Sequence, residues 1–354
     1  MTGSPSSAKT MQAWVLHGAQ DIRLETVPRP APGPGQALVR VRAAGICGSD
    51  LHYFRDGRCG NFIPTRPFIL GHEFAGEIAA LGHAVDGLSL GARVAVDPSQ
   101  PCGRCALCRS GRYNLCPEMV YFGSASVVPP RDGCFAEYVV APATNCSVLP
   151  GGFDLSWGAM LEPLSVAAHA LQRSGGVAGK RVLITGGGTI GQMILMIARA
   201  YGASLVAVSD PRPFARSFAE RHFEARTLDP LSPGVAEEAA LLSPGGFEVV
   251  FEASGAALAL DQAIRLSARG ATVVQVGTLE DGTAMPLNAL LTRELSYLGS
   301  WRFANVFERV ISLVDSGQID VRPLLTHTFP FAELPAAIAE ARDGAGSVKV
   351  QISS

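Results

Sequence analysis

No run of five or six like charges occurs in the 354 residues, and 29 basic residues stand against 31 acidic ones for a formal net of −2. Without a basic tract there is no electrostatic footprint for nucleic acid, and that partner class is set aside. Nor does any apolar stretch reach the roughly 18 residues of a membrane span. The first ten residues, MTGSPSSAKT, lack both the charged and the apolar part of a secretory leader. These absences predict a soluble, cytoplasmic chain with a loose amino-terminal tail and no membrane partner. Internal repeats are missing as well. The 39 glycines and 24 prolines are scattered rather than run together, which excludes a collagen-like segment and points to many turns between short elements.

Cysteine is scarce, with eight in the chain, yet four fall in CGRCALCRSGRYNLC, residues 102 to 116. A disulfide cluster, a redox centre and a metal site are the candidates. Cytosolic redox poise disfavours structural disulfides, and a redox pair needs only one CxxC. Cys102, Cys105, Cys108 and Cys116 supply the four thiolates of a closed tetrahedral zinc site, which holds a loop and leaves no position open for chemistry.

The chain is 47% hydrophobic, more core than one small domain needs, so two domains are expected. Residues 11 to 150 alternate β-like runs such as ALVRVRAAGI (37 to 46) and EFAGEIAALG (73 to 82) with Gly and Pro turns. From Trp157 onward, apolar helical patterns separate the runs VLITGG, LVAVSD, EVVFEASG and ATVVQVG, as a parallel sheet covered on both faces requires. An amphipathic helix over FANVFERVISLVDSG (303 to 317) and a closing strand SVKVQISS then suit the first domain better than the second. The expected architecture is α/β. A β-rich domain is built from residues 1–160 and 303–354, and a doubly wound parallel-sheet domain over 161–302 is inserted between them.

In KRVLITGGGTIGQMILMIARAYGASLVAVSD an apolar strand enters Gly186, Gly188 and Gly191 at the GxGxxG spacing and continues into a helix. Those glycines serve a tight turn, close approach of a pyrophosphate and helix–strand packing. The helix start at Thr189 and Ile190 turns its N–H groups toward phosphate. Asp210 ends the second strand, where a carboxylate accepts hydrogen bonds from adenosine ribose hydroxyls and repels a 2′-phosphate. NAD is therefore preferred, and Arg212, two residues on, keeps NADP open. Val276 and Gly277, in ATVVQVG, complete the expected cofactor contacts.

GICGSDLH carries Cys47, Ser49 and His52, and ILGHEFAGE carries His72 and Glu73. Each alone has a bland reading as a buried thiol or a turn. Together with the glycine turn and the four-cysteine loop, and with LEPL and SWRF further on, they make the chain resemble the zinc-dependent medium-chain dehydrogenases over residues 11 to 354. SDLHYFRDGRCGNFI and MLEPLSVAAHA are similar to the polyol, sorbitol dehydrogenase-like branch. The resemblance implies a GroES-like catalytic domain beside a Rossmann-type domain, and two zinc ions per subunit. It implies that Cys47, His72 and Glu73 ligate the catalytic zinc and that Glu162 reaches it directly or through water. Ser49 and His52 match the proton relay, their alternatives being a turn hydroxyl and a structural histidine. Arg302 matches a residue at the active-site edge, and Tyr53, Phe122 and Phe303 are pocket-lining candidates with the core as their alternative.

The implied reaction is oxidation of a secondary alcohol of a sugar acid or polyol to a ketone, with L-idonate as the sharpest case. The implied assembly is a homo-oligomer, with a tetramer favoured.

Overall fold

The computed structural model describes residues 9–354, so the expected loose tail at residues 1–8 lies outside the described residues. The chain forms two compact units. One runs through Glu162 and resumes at Leu325–Ser354, and the other is Pro163–Leu324.

The first unit is β-rich. Its larger sheet orders Cys146–Val148, Arg93–Val96, Glu73–Leu81, Gln36–Gly45, Lys349–Ser353 and Leu325–Pro330, with Tyr138–Pro142 also paired to Gln36–Gly45. The carboxy-terminal strand thus lies beside a strand from the chain's first fifty residues, with Gln351 opposite Gly45. On the other flank of Gln36–Gly45, Gly45 stands opposite Glu73. That register sets Glu73 and Lys349 around one glycine. A Cβ on Gly45 would run into the Glu73 carboxylate and come within 2.8 Å of Lys349 Cε, so the close approach demands glycine there.

In the second unit six parallel strands follow the order Arg226–Leu228, Leu205–Ser209, Arg181–Thr185, Phe247–Glu252, Ser267–Gln275 and Ser296–Gly299. Numbered within the unit this is 3-2-1-4-5-6, the Rossmann order. Val182, Leu183 and Ile184 in the first strand are fully enclosed, which explains why these strands read as continuous apolar runs rather than alternating ones. Among the described residues no helix is long and apolar enough to cross a membrane.

The second boundary falls later than residue 303. The helix Phe307–Asp315 clusters with the second unit and not the first. Its apolar face, with Phe307, Val310, Ile311, Leu313 and Val314, is buried as the periodicity demands. Periodicity shows that a helix has a core face, not which core receives it.

Candidate functional site

The four thiols of the 102–116 loop converge. Their sulfur atoms lie within 4.8 Å of one another, with Cys105 Sγ 3.4 Å and Cys102 Sγ 4.0 Å from Cys108 Sγ. A tetrahedron with Zn–S bonds of about 2.3 Å has edges of about 3.8 Å, so the spacing suits zinc and is far too long for a disulfide. The short helix Ala106–Arg109 begins where the Cys105 sulfur accepts the Cys108 N–H. The Cys116 sulfur accepts the N–H of Cys102. Thiolates that take backbone N–H donors are held ready for a cation.

A second group is formed by Cys47, His72 and Glu73, whose ligand atoms also lie within 4.8 Å of one another. Cys47 is the N-cap of the helix Gly48–Asp56, and His72 and Glu73 stand at the start of the strand Glu73–Leu81. Asp50, missed in the sequence, joins the two segments. Its carboxylate accepts the Cys47 N–H at 2.9 Å and the Gly71 N–H at 3.1 Å, and lies 3.8 Å from His72 Nδ1. The signal was present as an acid three residues after a helix cap, the capping-box position. Lys349, also missed, pairs with Glu73, and both are nearly inaccessible at 2% and 1%. Its ammonium donates to the Ile46 carbonyl at 2.9 Å.

The electrostatics favour positive charge here. Burial by itself would lower the His72 pKa, but the negative charges of Asp50 and Cys47 outweigh it and push the imidazole up to about 10. A sulfur, a ring nitrogen and a carboxylate amid further anions fit a zinc ion with room for a substrate oxygen.

Glu162 does not join this group of three. It lies in the helix Leu155–Arg173 just before Pro163, and its Oε1 accepts the Tyr121 hydroxyl at 2.5 Å. Burial raises its carboxyl to about 7, against the opposing pull of His72.

Ser49 and His52 occupy the first two turns of the helix that Cys47 caps. His52 is exposed, and its Nδ1 takes a hydrogen bond from Arg55 at 3.2 Å. The same nitrogen lies 3.8 Å from the Asp56 carboxylate. Three of the four pocket candidates are buried, the alternative that stood beside the pocket for each of them. Tyr53, Phe122 and Phe303 are 2%, 0% and 0% exposed. Tyr53 spends its hydroxyl oxygen on the Ala125 N–H. Phe122 packs edge-on to Phe74, and Phe303 stacks on Phe307. Large aromatic faces remove most area from water when fully enclosed. Arg302 keeps partial exposure and sits against the Trp301 ring, with a left-handed φ of 51°.

In the second unit the turn after Arg181–Thr185 has Gly186 at φ 103°, where a Cβ would stand 2.8 Å from the Ser254 nitrogen. Gly188 caps the helix Thr189–Ala200, whose first-turn N–H groups have no acceptor within the helix. Asp210 accepts the Gly187 N–H at 2.8 Å and is gripped by Arg212 through Nε and a terminal nitrogen, each at 3.0 Å. Burial alone would raise Asp210, but these donors hold it below the usual carboxylate range. A cavity of about 340 Å³ is lined by Gly186, Gly188, Asp210, Arg212, Leu231 and Leu258, the size and mix of an adenosine site. Val276 and Gly277 follow the strand Ser267–Gln275, and both donate their N–H to the Glu252 carbonyl. They can meet a cofactor only through other atoms.

Residues 33–151 match the alcohol dehydrogenase GroES-like domain, and residues 189–316 match the zinc-binding dehydrogenase family. An L-idonate 5-dehydrogenase of Vitis vinifera is 37% identical over 361 residues, covering 100% of this chain and 97% of that protein. The sorbitol dehydrogenase of Bacillus subtilis is 35% identical over 336 residues, 94% of each. The crystal structure of L-idonate 5-dehydrogenase from Escherichia coli superposes with a TM-score of 0.90 at 32% identity, covering 98% of this chain and 99% of that one.

Proposed function

This chain belongs to the zinc-dependent medium-chain dehydrogenases, and from that premise we propose that it oxidises L-idonate to 5-ketogluconate with NAD. The broader chemistry is that of a polyol or sugar-acid dehydrogenase. The observation that carries the reading is the convergence of Cys47, His72 and Glu73 in a chain that also holds the glycine turn and Asp210. Zinc bound by those three residues supplies a Lewis acid to the alcohol oxygen.

The protein's own groups do the rest. Asp50 ties the Cys47 and Gly71 backbones together and keeps negative charge beside His72. Lys349 balances the buried Glu73. Ser49 hands the alcohol proton on, and the exposed His52 passes it out. The four-cysteine loop, with every thiol directed inward, holds a structural zinc. Asp210 takes the adenosine ribose and favours NAD, although Arg212 offsets part of its charge. We read Arg302 as the cation for the substrate carboxylate, since its planar fork matches that group. The active form is a homo-oligomer, a tetramer by preference, in the cytoplasm.

A second reading, a sorbitol- or xylitol-type polyol dehydrogenase, has support in the similar identity to the bacterial sorbitol enzyme. NADH formation by the zinc-replete protein on L-idonate, D-gluconate, sorbitol, xylitol and L-iditol separates the two. Preference for the acids upholds the idonate assignment, and preference for the neutral polyols replaces it with the second. Silence on all five with both NAD and NADP would sink the dehydrogenase function itself.

A further inference from the structure

Tyr121 touches both the four-cysteine loop and His72 of the Cys47–His72–Glu73 group. Its strand, Val120–Tyr121, pairs with Ser99–Gln100 immediately before the four-cysteine loop. Its ring belongs to a small core with Cys116 and Met119, against which Cys102, Cys105 and Cys108 pack. At its other end the ring centroid is 5.7 Å from that of His72, and the hydroxyl donates to Glu162 Oε1 at 2.5 Å. Tyrosine and acid are 6% and 5% exposed.

We propose that Tyr121 is a positioning residue of the catalytic cluster: its hydroxyl fixes the carboxylate of Glu162 and so sets how that acid stands to a metal held by Cys47, His72 and Glu73. This rests on the zinc dehydrogenase reading above.

The argument is geometric. A buried carboxylate at the side of a helix has several rotamers, and a short, charge-assisted hydrogen bond from a phenol selects one. With Oε1 accepting the Tyr121 hydroxyl, Oε2 is the oxygen left with no hydroxyl donor, the one that would face a metal or its water. The phenol itself cannot drift, because its backbone is held in a strand pair and its ring is wedged beside the thiol cluster. A phenylalanine would fill the same core volume, so the hydroxyl is the part that packing leaves unexplained. Partners of this kind, which orient groups around a metal without binding it, change metal affinity or activity roughly 10- to 100-fold when removed.

The test compares the full-length, zinc-replete protein with Tyr121→Phe, Glu162→Ala and the double variant. Four quantities are read: zinc per chain, the rate at which zinc passes to a chelator, the visible d–d spectrum with cobalt in the catalytic site, and steady-state NAD reduction. Tyr121→Phe is expected to keep both zinc ions and lose one of them to the chelator about tenfold faster. It should also shift the cobalt bands and lower kcat with little change in the KM for NAD. In the Glu162→Ala background the same substitution should change each quantity less than about twofold, because a group acting through Glu162 has nothing left to position.

An unaltered cobalt spectrum with unaltered zinc transfer in Tyr121→Phe would overturn the proposal. So would an equal effect in the Glu162→Ala background, or failure of Tyr121→Phe to fold, which would make the hydroxyl structural. Failure of the underlying reading looks different: the parent protein would hold fewer than two zinc ions, or Cys47→Ser would lose none. That result takes this inference with it.

Discussion

Replacing Lys349 by methionine removes one charge from a pair that water scarcely reaches. The ammonium and the Glu73 carboxylate are 2% and 1% exposed, and the ammonium also donates to the Ile46 carbonyl. Methionine matches the length and apolar character of the lysine stem, so little cavity is opened. The dominant cost is the Glu73 charge left without its partner, about 3–5 kcal/mol for a buried pair broken on one side. For a unit of this size, about 2–4 °C of Tm per kcal/mol places the expected drop at about 6–20 °C.

Thermal unfolding of the zinc-replete Lys349→Met protein, followed by circular dichroism, measures it. Stripping zinc should widen the deficit, because Glu73 then loses both cations. Glu73→Gln/Lys349→Met should recover most of the loss, since no unpaired charge remains. A single variant that melts within about 2 °C of the parent would refute the reasoning. Lys349 would then not be the counter-charge of Glu73.

Three further outcomes are expected. Cys47→Ser should keep the fold and one zinc per chain while abolishing turnover, whereas Cys102→Ser should lower thermal stability or disrupt assembly; metal analysis and size-exclusion chromatography distinguish them. Asp210→Ala should raise the KM for NAD about 10- to 100-fold through loss of charged hydrogen bonds to the ribose. Arg212→Ala should spare NAD and depress NADP use, and kcat/KM with each cofactor reads both. Burial raises the Asp97 carboxyl from its ordinary 3.8 to about 6, so the folded chain holds that proton more tightly than the unfolded one. Its stabilising effect is complete below pH 3.8 and lost as the pH climbs through 6. Asp97→Asn, which keeps an oxygen for the Ser99 N–H, should therefore stabilise the protein by up to about 3 kcal/mol at pH 8 and very little near pH 4. Denaturant midpoints at the two pH values check it.

The residues alone were enough for everything carried by local spacing. Cys102, Cys105, Cys108 and Cys116 lie within one short loop, and their convergence depends on few backbone angles. Gly186, Gly188 and Gly191 are read by one turn and one helix, with Asp210 at the end of the next strand. Cys47, His72 and Glu73 were singled out by resemblance: GICGSD and GHE, beside the glycine turn and the four-cysteine loop, are similar to the motifs of the zinc-dependent dehydrogenases.

Only tertiary structure could decide the partners of those groups. Lys349 is 276 positions from Glu73 in the chain, and the two meet because the carboxy-terminal strand pairs beside Gly45. Tyr121 finds Glu162 across 41 positions through a two-strand pairing that propensity does not foretell. Tyr53, Phe122 and Phe303 went to the core, and the helix Phe307–Asp315 to the second unit. An aromatic or amphipathic pattern specifies that a surface must be buried, and long-range packing chooses the surface that buries it. The chemistry of the cluster lies in two short motifs, and the charge balance and orientation around it arise from strands brought together out of sequence order.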